Sequence, residues 1–171
     1  MKTSTIIQLT ARYQLAQTLF VLVATMVSPI LIHLLPDING YTPGAVLLPI
    51  FFAPLIAVFI YKPHVAIFSG IFAPVLNYLI LGLPTPPVVI TMGVEVVLFV
   101  WMVYRLKDFK PIGYLAAPIS YMISSLLVLL GLSVFSNVFN PFTLWTSNML
   151  VALPGILLLG LVNFTVLKLQ E

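Results

Sequence analysis

Every basic residue of this chain lies at a terminus or in one alternate set of the loops between its apolar runs, and no other feature of the sequence restricts the fold as much. The seven lysines and arginines are Lys2, Arg12, Lys62, Arg105, Lys107, Lys110 and Lys168. The long uncharged stretches read as six spans: Tyr13 to Leu35, Ala45 to Ile60, Val65 to Leu81, Val88 to Tyr104, Ile112 to Phe135 and Leu144 to Leu167. The loops around residues 36–44, 82–87 and 136–143 contain no lysine or arginine. With six spans the loops alternate sides, and every basic residue falls on the side of the N-terminus. Cytoplasmic loops carry the excess of Lys and Arg, so both termini are expected in the cytoplasm. Adding or removing one span would scatter the lysines over both sides.

Composition agrees with this reading. Only 6% of the 171 residues are charged and 61% are hydrophobic, and the mean hydropathy is +1.19. A soluble domain carries roughly 25% charged residues, so the expectation is a single all-α integral membrane domain over residues 1–171. The first run of about 23 residues suffices to cross a ~30 Å hydrocarbon core. It is longer than a signal-peptide core and no small-x-small cleavage site follows it, so it reads as a retained helix. The second and third spans sit at the short limit, where a re-entrant hairpin is the alternative. Fourteen prolines imply broken or kinked helices, among them interruptions at Pro49, Pro54 and Pro74. The absence of cysteine excludes disulfides and thiolate metal sites. A net charge of +3 gives no sign of a nucleic-acid partner.

One residue stands out against the apolar background. Glu95 is the only carboxylate well inside any of the runs. A charged side chain at the bilayer centre costs roughly 2.5–3.5 kcal/mol on insertion scales, so it needs a partner, a water-filled cavity or a proton. The expected orientation puts it about eight residues, or ~12 Å, below the outer surface. Asn77, Asn148, Trp145 and His33 fall in the same outer half, next to the loop bearing Asp37, Asn39 and Tyr41. Together Glu95, Asn77, Asn148, Trp145, Tyr41 and His33 are expected to line an outward-opening pocket, with Trp145 and Tyr41 as flat stacking surfaces. Each has a plainer role open to it: amides link helices, and aromatic residues and histidine are ordinary at the membrane boundary. Asn163, near the inner end of the last span, stands apart from this set. The small residues Ala66 and Gly70 of the third span, four apart, allow close helix approach, expected to be within the monomer.

Other chemistry finds little footing. His33 and His64 fall on opposite sides of the expected membrane, which argues against a metal site. No cofactor is implied. Phe68-Ser69-Gly70 lacks the preceding glycine of an intramembrane serine protease, and no histidine follows in a later helix. No phosphate-binding loop or carboxylate pair points to hydrolysis or phosphoryl transfer. An enzyme is therefore not expected.

Four short motifs carry a family resemblance. They are Leu48-Pro49-Ile50 in the second span, Gly70 with Ala73-Pro74 in the third, the loop Gly82-Leu83-Pro84 with Pro86-Pro87, and Met92 to Glu95 in the fourth. With six spans and cytoplasmic termini, the chain resembles the substrate-binding S component of an energy-coupling-factor (ECF) importer. The resemblance implies a membrane-embedded vitamin or micronutrient receptor with its pocket near the outer face. It also implies docking onto an energising transmembrane subunit that carries two cytoplasmic ATPases. The chain departs from the family in three places. Tyr61-Lys62-Pro63-His64 stands where a Gly-Pro turn is common, and Phe51-Phe52 where a histidine often follows Pro-Ile. Phe20 lies between Ala16 and Ala24 where small residues serve docking. These departures bear on coupling rather than on the fold.

The leading expectation is a receptor in the cell membrane, surrounded by lipid, for a small ring-containing micronutrient. Glu95 would accept hydrogen bonds from an amine, amidine or ring N–H, balance a cation, or donate as a protonated carboxyl. The competing expectations are a membrane scaffold or assembly subunit, and an uncoupled facilitator or small channel.

Overall fold

In a computed structural model the described residues are 3–82, 84–135 and 140–170. Lys2, Leu83, Glu171 and most of the expected uncharged loop from Ser136 to Phe142 lie outside them. All regular structure among the described residues is helical. The helices are α1 (Thr3–Ile32), α2 (Pro43–Leu47), α3 (Phe52–Ile60), α4 (Pro63–Leu81), α5 (Pro86–Leu106), α6 (Ala116–Phe135), α7 (Pro141–Val151) and α8 (Leu153–Lys168). Two 3₁₀ turns, Pro49–Phe51 and Ile112–Leu115, lead into α3 and α6.

Helix α3 is the centre of the bundle. Its sequence is apolar all round, a pattern that demands burial on every side. It packs against α1, α4, α5 and α8, and Leu55, Ala57 and Val58 are sealed from the surface. Phe51, at the end of the preceding turn, meets the rings of Phe99 and Tyr121 edge-on, each with centroids 5.1 Å apart. Around this centre α4 lies between α1 and α5, and α5 leads on to α6. The outward face of α1, with Leu15, Leu19, Phe20 and Val23, is exposed, as lipid-facing or partner-facing apolar surface would be.

Four helical stretches are long and apolar enough to cross a membrane: Arg12–Ile32, Pro63–Ile80, Pro86–Leu106 and Ile112–Phe135. The pair α7 and α8 makes a fifth if taken as one broken span. The expected second span is not a continuous helix, and its longest apolar helical piece is Pro49–Ile60. The cause is Pro49, which has no N–H and disfavours helical geometry in the residue before it. Leu48 turns left-handed there, at φ 55° and ψ 44°. By contrast Pro54 falls in the first turn of α3, where a missing N–H matters little, and Pro74 lies within an unbroken α4.

The expected sixth span is also divided. Ala152 (φ −80°, ψ 0°) separates the two helices, and α7 and α8 diverge by 67°. Pro154 withholds the N–H that would have continued the ladder. Gly155 lets the start of α8 run against main chain: a β-carbon there would lie 2.7 Å from the Val46 carbonyl oxygen and 2.8 Å from the Leu47 carbonyl carbon.

Backbone groups freed by proline are satisfied from nearby. Pro29 leaves the Thr25 carbonyl without its helical donor. The Ser28 hydroxyl lies between that oxygen, at 3.3 Å, and the Pro49 carbonyl, at 3.0 Å, tying α1 to the turn below Leu48. At the far end Asn163 donates through Nδ2 to the carbonyls of Gly113 and Tyr114, at 2.8 and 2.9 Å. This holds the 3₁₀ turn before α6 onto α8. The expected close approach of the third span is intramolecular: Ala66 is fully buried, and Gly70 faces Val96 of α5.

Candidate functional site

A cavity of about 490 Å³ opens at one end of the bundle. Its walls come from the end of α1, the segment from Tyr41 to Phe51, the first half of α5, α6 from Tyr121 to Leu132, and α7. Helical phase explains which side chains reach it. Pro29 and His33 are four apart at the end of α1, His33 just past its last residue; Thr91, Met92 and Glu95 share one face of α5; Tyr121, Ser125, Val128, Leu129 and Leu132 share one face of α6. Asn148 and Met149 complete the wall from α7. The break at Leu48 matters here, since Leu48, Pro49, Ile50 and Phe51 all contribute to the lining. An unbroken helix would have presented only every third or fourth residue.

Tyr41 is set in place by local chemistry. Asn39 and Gly40 have φ of 52° and 81°, the pair of left-handed residues that a type I′ turn requires and that Asn-Gly supplies most readily. Ile38 and Tyr41 exchange backbone hydrogen bonds across this turn, at 2.9 and 3.0 Å. The turn carries the Tyr41 ring to the cavity, where it also borders a smaller one of about 290 Å³ beside Ile38 and Pro154. His33 packs on Gly44: a β-carbon at Gly44 would fall 2.9 Å from both Cε1 and Nε2 of its ring.

Of the six candidate residues, Glu95, Asn148, Tyr41 and His33 thus line one cavity. Trp145 is next to it rather than on its wall. Its indole N–H donates to the Met122 carbonyl at 3.0 Å and to the Ser125 hydroxyl at 3.1 Å, which fastens α7 to α6. Asn77 is buried on α4 away from the lining, and its Oδ1 accepts no hydrogen bond among the described residues. Tyr121, Ser125 and Thr91 were not foreseen. The signal for the first two was present: Ser120, Tyr121, Ser124 and Ser125 form a polar stripe at helical spacing, all buried on α6.

The cavity's polar groups are largely unspent. No hydrogen bond or ion pair to the side chains of Glu95, Tyr121, Asn148 or His33 exists among the described residues. Glu95 is half-buried and opens onto this space. Thr91 and Ser125 differ, since their hydroxyls bond the Val88 and Met122 carbonyls of their own helices. Arg105 and Lys107 at the end of α5 and Lys168 at the end of α8 lie far from the cavity, against aromatic rings. The Arg105 guanidinium is 5.5 Å from the Trp101 centroid, the Lys107 ammonium 5.6 Å from Tyr104 and 5.7 Å from Phe59, and Lys168 5.1 Å from Phe164. The Gln170 amide closes this end by donating to the Phe59 carbonyl at 2.7 Å.

These features define an all-helical protein whose long apolar helices are compatible with a membrane, with a cavity at one end whose mostly apolar walls carry a few polar groups. Comparison with protein-family models, with curated proteins and with solved structures yields no match for the chain.

Proposed function

We propose that this chain is a membrane-embedded substrate-binding component for the uptake of a vitamin or related small micronutrient, and not an enzyme. One observation carries the reading: an open cavity of about 490 Å³ is walled by a carboxylate, an amide, an imidazole and a phenol, none hydrogen-bonded or ion-paired through its side chain among the described residues. That volume lies within the ~300–1,000 Å³ of small-molecule sites, which combine mostly apolar walls with a few convergent polar groups. A polar group left without a partner in an apolar setting is costly, and a ligand is the partner that such a constellation is shaped to receive.

The segregation of basic residues supports six crossings with both termini in the cytoplasm and the cavity facing outward. On this reading α2, the turn and α3 together make the second crossing, and α7 with α8 the sixth. The motif resemblance supports an S component that hands its substrate over through an energising transmembrane subunit with two ATPases. Cysteine accessibility tests the topology: residues introduced at Asp37 and Lys107 should label from opposite sides, and labelling from one side rejects it. Binding is tested by native purification with mass spectrometry of retained small molecules, followed by thermal stabilisation with what is found. A protein that retains nothing and responds to no vitamin is not such a receptor.

A further inference from the structure

We infer that the ligand of this cavity is a small organic cation with a flat ring, its positive group seated on Glu95. The inference rests on the receptor reading above and narrows it to one charge class.

The argument is one of charge and of what is missing from the walls. Among the described residues lining the cavity Glu95 is the only acid, and no lysine or arginine is present. His33 is the one other titratable nitrogen or carboxyl group there, and its ring is packed on Gly44. Arg105 and Lys107 at the end of α5 and Lys168 at the end of α8 lie far from it. A ligand carboxylate or phosphate would sit beside the Glu95 carboxyl group with no fixed cation to receive it, which costs heavily. An ammonium, amidinium or ring cation instead supplies the counter-charge that a carboxylate at membrane depth requires. Planar N–H forks also match carboxylate geometry in a bidentate way.

The aromatic residues point the same way. Tyr121 and Phe51 meet edge-on at 5.1 Å, and both line the cavity beside Glu95. Aromatic faces attract cations and accept flat rings. The turn-mounted Tyr41 gives a further ring at the opening. Asn148 and the Tyr121 hydroxyl are left to hydrogen-bond the neutral part of the ligand.

The test uses the purified full chain and three probes of one shape: benzamidinium, benzamide and benzoate. Thermal stabilisation and equilibrium binding are measured for each, together with the net charge of any small molecule that co-purifies. The expected order is benzamidinium ahead of benzamide, with benzoate weakest by at least tenfold relative to the cation. In Glu95→Gln the preference for the cation is expected to vanish while the benzamide response stays, which shows that the cavity is intact. Benzoate binding as well as benzamidinium, or an anionic co-purifying molecule, overturns the cation class and leaves the receptor reading standing. A cation preference that survives Glu95→Gln overturns the seat assigned to Glu95. No response to any probe and no retained molecule overturns the receptor reading itself, and this inference with it.

Discussion

Gly70 of α4 and Val96 of α5 share one site in the bundle: a β-carbon on Gly70 would sit 2.5 Å from Val96 Cγ1, and Val96 is fully buried. Only a hydrogen fits between the two helices at this point. Gly70→Ala is therefore expected to destabilise the protein by about 1–3 kcal/mol, the usual cost of overpacking. Because the obstruction is a side chain, Gly70→Ala combined with Val96→Ala should recover much of the loss. A double-mutant cycle in detergent denaturation measures this, and purely additive effects would show that the two residues do not meet.

Gly155 offers the contrasting case. A β-carbon there would meet the carbonyl oxygen of Val46 and the carbonyl carbon of Leu47, as well as Leu48 Cγ. Main chain cannot step aside as a side chain can. Gly155→Ala should cost a similar ~1–3 kcal/mol, but trimming Leu48 to alanine should bring no rescue. Since the segment from Val46 to Leu48 adjoins the cavity wall, ligand affinity should fall alongside stability. Melting temperature and binding measured on the same variants check both parts.

Trp145 and Ser125 hold α7 to α6 through the indole N–H. Trp145→Phe keeps most of the apolar surface and removes only that donor. A loss of about 1 kcal/mol is expected, the common value for an intramolecular hydrogen bond. A ligand in the cavity does not need the indole itself, so affinity should change less than tenfold. A complete loss of binding with unchanged stability would instead make Trp145 a ligand contact.

Glu95 should show the opposite trade. Glu95→Gln removes a charge that has no partner among the described residues. The ligand-free variant is expected to melt at or above the parent, with a gain bounded by the ~3 kcal/mol insertion cost of a central charge. Function and stability often diverge in this way at binding sites. A lower ligand-free melting point in the variant would mean that Glu95 serves packing rather than binding.

How far these features were legible depends on what each one needed. The apolar runs and the depth of Glu95, Asn148 and His33 follow from counting residues along a helix, and those three with Tyr41 do share a cavity. Depth alone does not give rotation about the helix axis. Asn77 lies on a face of α4 away from the lining. The prolines show a second limit. Pro29 and Pro74 lie inside continuous helices, whereas Pro49 and Pro154 follow breaks. The difference lies in tertiary partners: Ser28 reaches the carbonyl freed near Pro29, and Gly155 presses against the α2 backbone next to Pro154. No local pattern reports such contacts. Tyr121 and Ser125 were overlooked because single hydroxyls are common in apolar helices, and their shared spacing with Ser120 and Ser124 carries the information.

The walls of the cavity are drawn from across the chain, from Pro29 to Ala152. Synthesis proceeds from the N-terminus, so the part of the wall contributed by α1 exists well before the part contributed by α7. A fragment that stops short of α7 lacks part of the wall, and on the proposed receptor reading occupancy is a test that such a fragment fails. A ligand bound solely by the finished state adds about 2.7 kcal/mol to its stability at one hundred times the dissociation constant. For a marginal membrane bundle that increment bears on survival against cellular proteases. On the proposed receptor reading, the steady amount of this protein in a cell should then rise and fall with the supply of its ligand.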